Sequence, residues 1–304
     1  MQAVYLNPLT DFGFKKLFGE EPHKDLLISF LNTLLPEKHQ IATLQYTKNE
    51  YQGVSPTDRK AIFDLNCISD TGERFIVELQ KVKQMYFKDR SIYYATFAIQ
   101  EQAQRGDWDY RLSPVYTIGI LDFLISDEAK DVIYYAQIKD QHNQLFYDKL
   151  SFIYLTLPNF TKSRAELKTL QDKWLYVFRH LAELDEIPPE LPESVFHKLF
   201  QVAQIAQFNP LERQAYEDSL KHYRDLKNSN DTAWQEGLQE GLEEGEKIGI
   251  EKGKAEGRTE GEQIGMTKGL TQVVTAMAAK GLDVATIAEM TGLSAATVRD
   301  LLAQ

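Results

Sequence analysis

An α/β core followed by a helical annex and a helical C-terminal tail is the fold class predicted by this chain of 304 residues. Three observations carry it. Short runs of β-branched and aromatic residues, bounded by turn-forming clusters, alternate with helical patterns over residues 1–160. Beyond Pro158 the apolar residues recur only at helical spacing. Hydrophobic residues make up 43% of the chain and charged residues 26%, too apolar a balance for a disordered polymer.

Taken in order, Asn7 to Pro36 reads as two helices, "PLTDFGFKKLFGE" and "HKDLLISFLNTLLPE". Leu26, Leu27, Phe30, Leu31, Leu34 and Leu35 share a face that belongs in the core. Asp11 stands at the start of the first helix and suits either a helix cap or a metal ligand, while Lys15 and Lys16 belong on a solvated face. A polar stretch from Thr47 to Lys60 leads into "AIFDLNCI" and "RFIVELQ", joined by "SDTGE" as a hairpin. Successive strand side chains point to opposite faces. Phe63, Leu65 and Cys67 then share one side with Phe75, Val77 and Leu79, and Asp64, Asn66, Glu78 and Gln80 form a polar stripe on the other. From Phe87 to a stop at Gly106 the pattern is helical, with Arg90 and Tyr94 on one face at i, i+4 and Tyr93 and Phe97 toward the core. "SPVYTIGILDF", "DVIYYAQI" and "KLSFIYLTL" supply three further strands.

Residues 161–230 form the annex, punctuated by Pro188, Pro189, Pro192 and Pro210. Over residues 231–269 a glycine recurs every fourth residue from Gly237 to Gly269. Each glycine costs a helix about 1 kcal/mol relative to alanine, so this segment is either a self-associating helix, giving a homo-oligomer, or a mobile tether. Residues 270–304 read as a helix-turn-helix. Asp283 and Ser294 cap two helices across "TGL", and Ile287, Met290, Leu293, Val298 and Leu301 make a small core. With only Lys280 and Arg299 as basic residues from Thr271 on, that tail suits DNA binding and a packing module equally.

Several classes drop out. A net charge of −11 opposes a protein that coats nucleic acid through a broad basic surface, but leaves room for an enzyme that meets phosphate through a bound cation. Cys67, the one cysteine, cannot form an internal disulfide and belongs in the core. The N-terminus lacks a signal-peptide pattern and no stretch reaches the roughly 18 apolar residues of a membrane span, so the expected site is the cytoplasm, with no membrane partner. The histidines show no zinc-ligand spacing.

The polar stripe carries the chemistry. Mg²⁺ takes oxygen from one or two carboxylates and keeps several waters, a demand that Asp64 and Glu78 meet on adjacent strands. Gln80 shares Glu78's face and suits a ligand or a residue that orients water. In sequence order, "TDFGFKKLFG", "LISFLNTLL", "FDLNC", "FIVELQ", "DRSIYYATFAIQEQ" and "SPVYTIGILDF" resemble the Rpn recombination-promoting nucleases, a group also described as PD-(D/E)XK nuclease family transposases. The resemblance is close over about the first 160 residues, and the glycine repeat and tail also look like the C-terminus of many members.

That resemblance implies a restriction-endonuclease-like (PD-(D/E)XK) core and a bacterial, Mg²⁺- or Mn²⁺-dependent DNA endonuclease that promotes recombination. Its catalytic Asp falls on Asp64 and its Glu-x-Gln on Glu78 and Gln80, with Asp64 and Glu78 as metal ligands. Asp11 matches an N-terminal acidic position. Gln80 stands where the superfamily usually has lysine, and the missing charge falls to Lys60, Arg90 or Tyr94. The rival readings are a weakly active or inactive DNA-binding or interaction protein on the same fold, and a transposase.

Overall fold

A computed structural model describes residues 3–51, 61–103, 108–126, 128 and 130–303. The chain divides into two units, Met1–Asp231 and Thr232–Gln304.

The first unit is built on a six-stranded mixed sheet in the order β1-β4-β5-β6-β8-β7, with β1 Leu44–Tyr46, β4 Leu65–Ser69, β5 Arg74–Gln80, β6 Val115–Leu121, β7 Ile133–Lys139 and β8 Leu145–Thr156. β4 and β5 form the antiparallel hairpin expected from "SDTGE", closed by Gly72 at φ 93°. β5, β6 and β8 run parallel. Their crossovers need covering elements, and α3 (Phe87–Gln100) is the first of them. It ends at Gln100, before the expected stop. Gly106 lies outside the described residues.

Both faces are buried along β4, β5, β6 and the second half of β8, which fits the nearly continuous apolar runs of β6 and β8. One face, with Phe75, Val77, Leu79, Ile118, Ile120, Ile153 and Leu155, packs under α1 (Asp11–Phe18), α2 (Lys24–Asn32), α4 (Leu170–His180) and α5 (Ser194–Ala203). The six apolar residues expected from α2 and its end are all buried there. Trp174 and Phe178 stack among Phe18 and Phe30, so the annex helices share the core of the sheet. The first turns of α6 (Pro210–Ala279) join it through Tyr216 and Tyr223. The other face, with Ile76, Leu121, Phe152 and Tyr154, packs under α3 through Phe87, Ala95 and Ala98.

Two expectations fail beside the hairpin. "AIFDLNCI" is not one strand: β3 (Ala61–Ile62) pairs with β2 (Glu50–Tyr51) in a separate two-stranded ladder, and the chain bends at Phe63–Asp64 before β4 begins. The bend rotates Phe63 out of the alternation, and it lies on the α3 face against Tyr94, ring centroids 4.9 Å apart, rather than beside Leu65 and Cys67. Tyr93, expected in the core, is 44% exposed, because α3 buries the neighbouring stripe.

In the second unit α6 continues as a helix through all nine periodic glycines, and a Cβ built at any of them meets nothing within 4 Å. α7 (Val284–Thr291) and α8 (Ala295–Leu302) follow. Asp283 and Ser294 accept from the backbone N–H of Thr286 and Thr297, and Gly292 turns at φ 70°, all in keeping with their expected roles. Val274, Ile287, Val298 and Leu301 form the core with Leu293 at its margin. Met290 does not belong to it and is 63% exposed, whereas Val274 of α6 is fully buried in it. Among the described residues no helix is long and apolar enough to cross a membrane.

Candidate active site

The bend at Phe63–Asp64 positions the site. Continuing the β4–β5 register one step beyond Leu65 and Val77 sets Asp64 opposite Glu78. Out of the ladder itself, Asp64 meets β5 with its side chain: Oδ2 accepts from the Leu79 N–H at 2.7 Å, and the Asp64 N–H donates to Glu78 Oε1 at 3.3 Å. Asn49 anchors the bend from outside, donating to the Asp64 carbonyl at 3.2 Å and accepting from the Asn66 N–H at 3.1 Å.

Glu78 lies on the α3 face, as Ile76 does. Its parallel neighbour on β6 is Gly119, where a Cβ would run into the Tyr154 ring at 2.9 Å. Gln80 extends the stripe, its amide N–H 3.5 Å from Glu78 Oε2. From α3, Arg90 lies 5.7 Å from the centre of the Tyr94 ring and donates to Gln84 at 2.5 Å. Arg90 opposes, and Tyr94 senses, the charge on Glu78.

The electrostatics are those of two carboxylates brought together out of water. Burial first, and then the charge on Asp64, push Glu78 up to about 8. Burial likewise raises Asp64, against the Leu79 N–H and the cations Lys15 and Lys81, which pull it down. Like charges so placed favour either a proton or a cation between them. Asp64 Oδ1 accepts no hydrogen bond among the described residues.

Asp11 is drawn to the same place but does not cap its helix. Thr10 does that, accepting from the Gly13 N–H at 3.0 Å, and Asp11 pairs with Lys81 Nζ at 2.8 Å. The reading of Lys16 as solvated is also corrected, since it is half-buried and bridges to Glu212 at 2.8 Å. Lys60 falls outside the described residues. Thus Asp64, Glu78, Gln80, Arg90 and Tyr94 converge and Asp11 stands at the edge. Lys81 and Gly119 were missed. The signal for Lys81 was its place directly after Gln80 at a strand end, where the chain leaves the sheet. Gly119 had no local signal, because only strand pairing brings it to Glu78. Cys67 is fully buried with its thiol pushed up to about 12 by desolvation, as a core residue should be.

A family profile described as PD-(D/E)XK nuclease family transposase matches residues 8–233. The chain belongs to that family. No curated protein and no solved structure matches it. Membership of the PD-(D/E)XK nuclease family transposases carries a nuclease-like or transposase-related function. The match takes in the sheet and the annex helices and stops before the periodic glycines and the tail.

PD-(D/E)XK nucleases typically use divalent metals, and the residues present fit one. Among the described residues no group of three His, Cys, Asp or Glu side chains is gathered to hold an ion. The two carboxylates of Asp64 and Glu78 instead match a hard cation that keeps much of its shell as water.

Proposed function

We propose that the chain is a Mg²⁺- or Mn²⁺-dependent DNA endonuclease whose cleavage promotes recombination, with Asp64 and Glu78 as metal ligands and Gln80 beside them. The observation that carries the reading is the buried Asp64–Glu78 pair, in which the Asp64 backbone N–H donates to the Glu78 carboxylate and both carboxyl groups are raised by burial. What a divalent cation supplies between them is polarisation of a phosphate oxygen and a lowered pKa for an attacking water.

The protein's own groups do the rest. The Leu79 N–H fixes Oδ2 of Asp64, and Oδ1 is the oxygen that would hold a cation. Gln80 orients water through its amide, but a neutral amide brings no charge to a developing oxyanion. Arg90, held by Gln84 and Tyr94, brings that charge from α3 and takes the place of the lysine of the parent motif. Lys15 and Lys81 oppose the rise that burial imposes on Asp64.

Cleavage of supercoiled plasmid with Mg²⁺, Mn²⁺, Ca²⁺ or EDTA, comparing the native chain with Asp64→Asn and Glu78→Gln, tests this. Nicking or linearisation that needs Mg²⁺ or Mn²⁺ and disappears in both variants is the expected result. No cleavage, or equal cleavage by folded variants, sinks the enzyme reading in favour of a DNA-binding scaffold. Strand transfer on defined ends would instead make it a transposase.

A further inference from the structure

The sheet ends at β7, and among the described residues no strand pairs with its outer side. The Thr156 N–H donates to the Val132 carbonyl at 2.7 Å, just beyond the Ile133–Leu155 pair. Hydrogen-bonded pairs alternate along an antiparallel ladder. Tyr134 and Ala136 therefore bond inward to β8, and the backbone groups of Ile133, Tyr135 and Gln137 point outward. Natural sheets blunt such edges with charge, proline or a bulge on the edge strand. β7 has none of these between Ile133 and Ile138, and the extra residues that shift its register stand on β8. Tyr135 is 56% and Ile138 41% exposed.

The flanks say what covers this edge. Lys130 and Asp131 precede the strand, and Lys139 and Asp140 close it. Turned antiparallel on itself about Tyr135, the segment sets Asp131 opposite Lys139, Lys130 opposite Asp140, and Val132 opposite Ile138. Its outward backbone groups meet in the hydrogen-bonding pairs Ile133–Gln137 and Tyr135–Tyr135. Parallel pairing in the same register would set Lys against Lys and Asp against Asp, which is destabilising.

We infer that β7 pairs with β7 of a second copy of this chain, joining two sheets across a two-fold axis at Tyr135. The interface is isologous, with about six backbone hydrogen bonds and two copies of each ion pair. It is independent of the nuclease reading and of the glycine helix.

The test uses the full chain. The Cα atoms of Tyr135 and its mate would stand about 5.5 Å apart, within disulfide range, and the native Cys67 is fully buried. Tyr135→Cys is expected to cross-link into a covalent dimer under mild oxidation, and Leu211→Cys, 83% exposed on α6, is expected to stay uncross-linked. Analytical ultracentrifugation should show Asp131→Lys and Lys139→Glu each weakening the dimer by about tenfold, and the double variant recovering it. Native protein that sediments as a monomer, Tyr135→Cys that cross-links no faster than Leu211→Cys, or a double variant no better than the singles overturns the inference. A dimer held elsewhere would fail the last two.

Discussion

Replacing Glu78 by glutamine removes a carboxylate that the fold buries against another one while keeping its shape and its acceptor for the Asp64 N–H. With Glu78 at about 8 in the folded chain and 4.5 ordinarily, the folded state binds more protons across that window. Stability is therefore fully present below about 4.5 and is lost as pH rises through about 8. Every tenfold change in a group's proton affinity on folding corresponds to about 1.4 kcal/mol. Because Asp64 shares the repulsion, the loss assignable to Glu78 is roughly 3 kcal/mol. For a unit of this size that is about 6–12 °C in melting temperature. Thermal unfolding followed by circular dichroism in EDTA at pH 5 and pH 8.5 measures it. The native chain should lose stability between the two, and Glu78→Gln should lose much less and melt higher than the native chain at pH 8.5. A variant that melts lower at pH 8.5, or differs equally at both values, would refute the account of a buried, strained carboxylate pair. Added Mg²⁺ should reverse the order, stabilising the native chain and not the variant.

Lys81→Met removes a cation that holds Asp64 down, so the acidic limb of the plasmid-cleavage profile should move to higher pH, with little change in melting temperature because Lys81's partner Asp11 is half-exposed. Trp174→Ala, at a fully buried ring packed against Phe18, Phe30 and Phe196, should cost about 3–5 kcal/mol in urea unfolding. A loss below about 1 kcal/mol would mean that α4 is not part of the sheet's core. Alanine at Gly241, Gly249 and Gly257, where an added Cβ meets nothing, should leave the helix content of α6 unchanged and raise its thermal stability by about 1 kcal/mol per site; a marked gain in helicity would contradict a continuous helix there. Asp283→Ala should cost the tail about 1 kcal/mol, read from its melting transition, through loss of the cap on α7.

The local sequence of this protein determined its element types, most of its buried faces and the chemical character of its site. A period of two over residues 74–80, a period near 3.6 in α2 and capping residues at Asp283 and Ser294 are properties of neighbouring residues, and they place Glu78 and Gln80 on one face without reference to the rest of the chain. The tertiary structure decided what depends on residues distant in sequence. Phe63 crossed to the α3 face because the chain bends to let Asp64 bond the β5 backbone. Gly119 came to lie against Glu78 through parallel pairing, and Lys81 reached Asp11 across 70 positions. Met290 stayed exposed and Val274 of α6 joined the tail's core because packing in three dimensions, and not helical phase alone, selects which apolar side chains are covered. The weakened acidity of Asp64 and Glu78 belongs to the same class, since burial and the separation of charges exist only once the sheet has closed beneath α3.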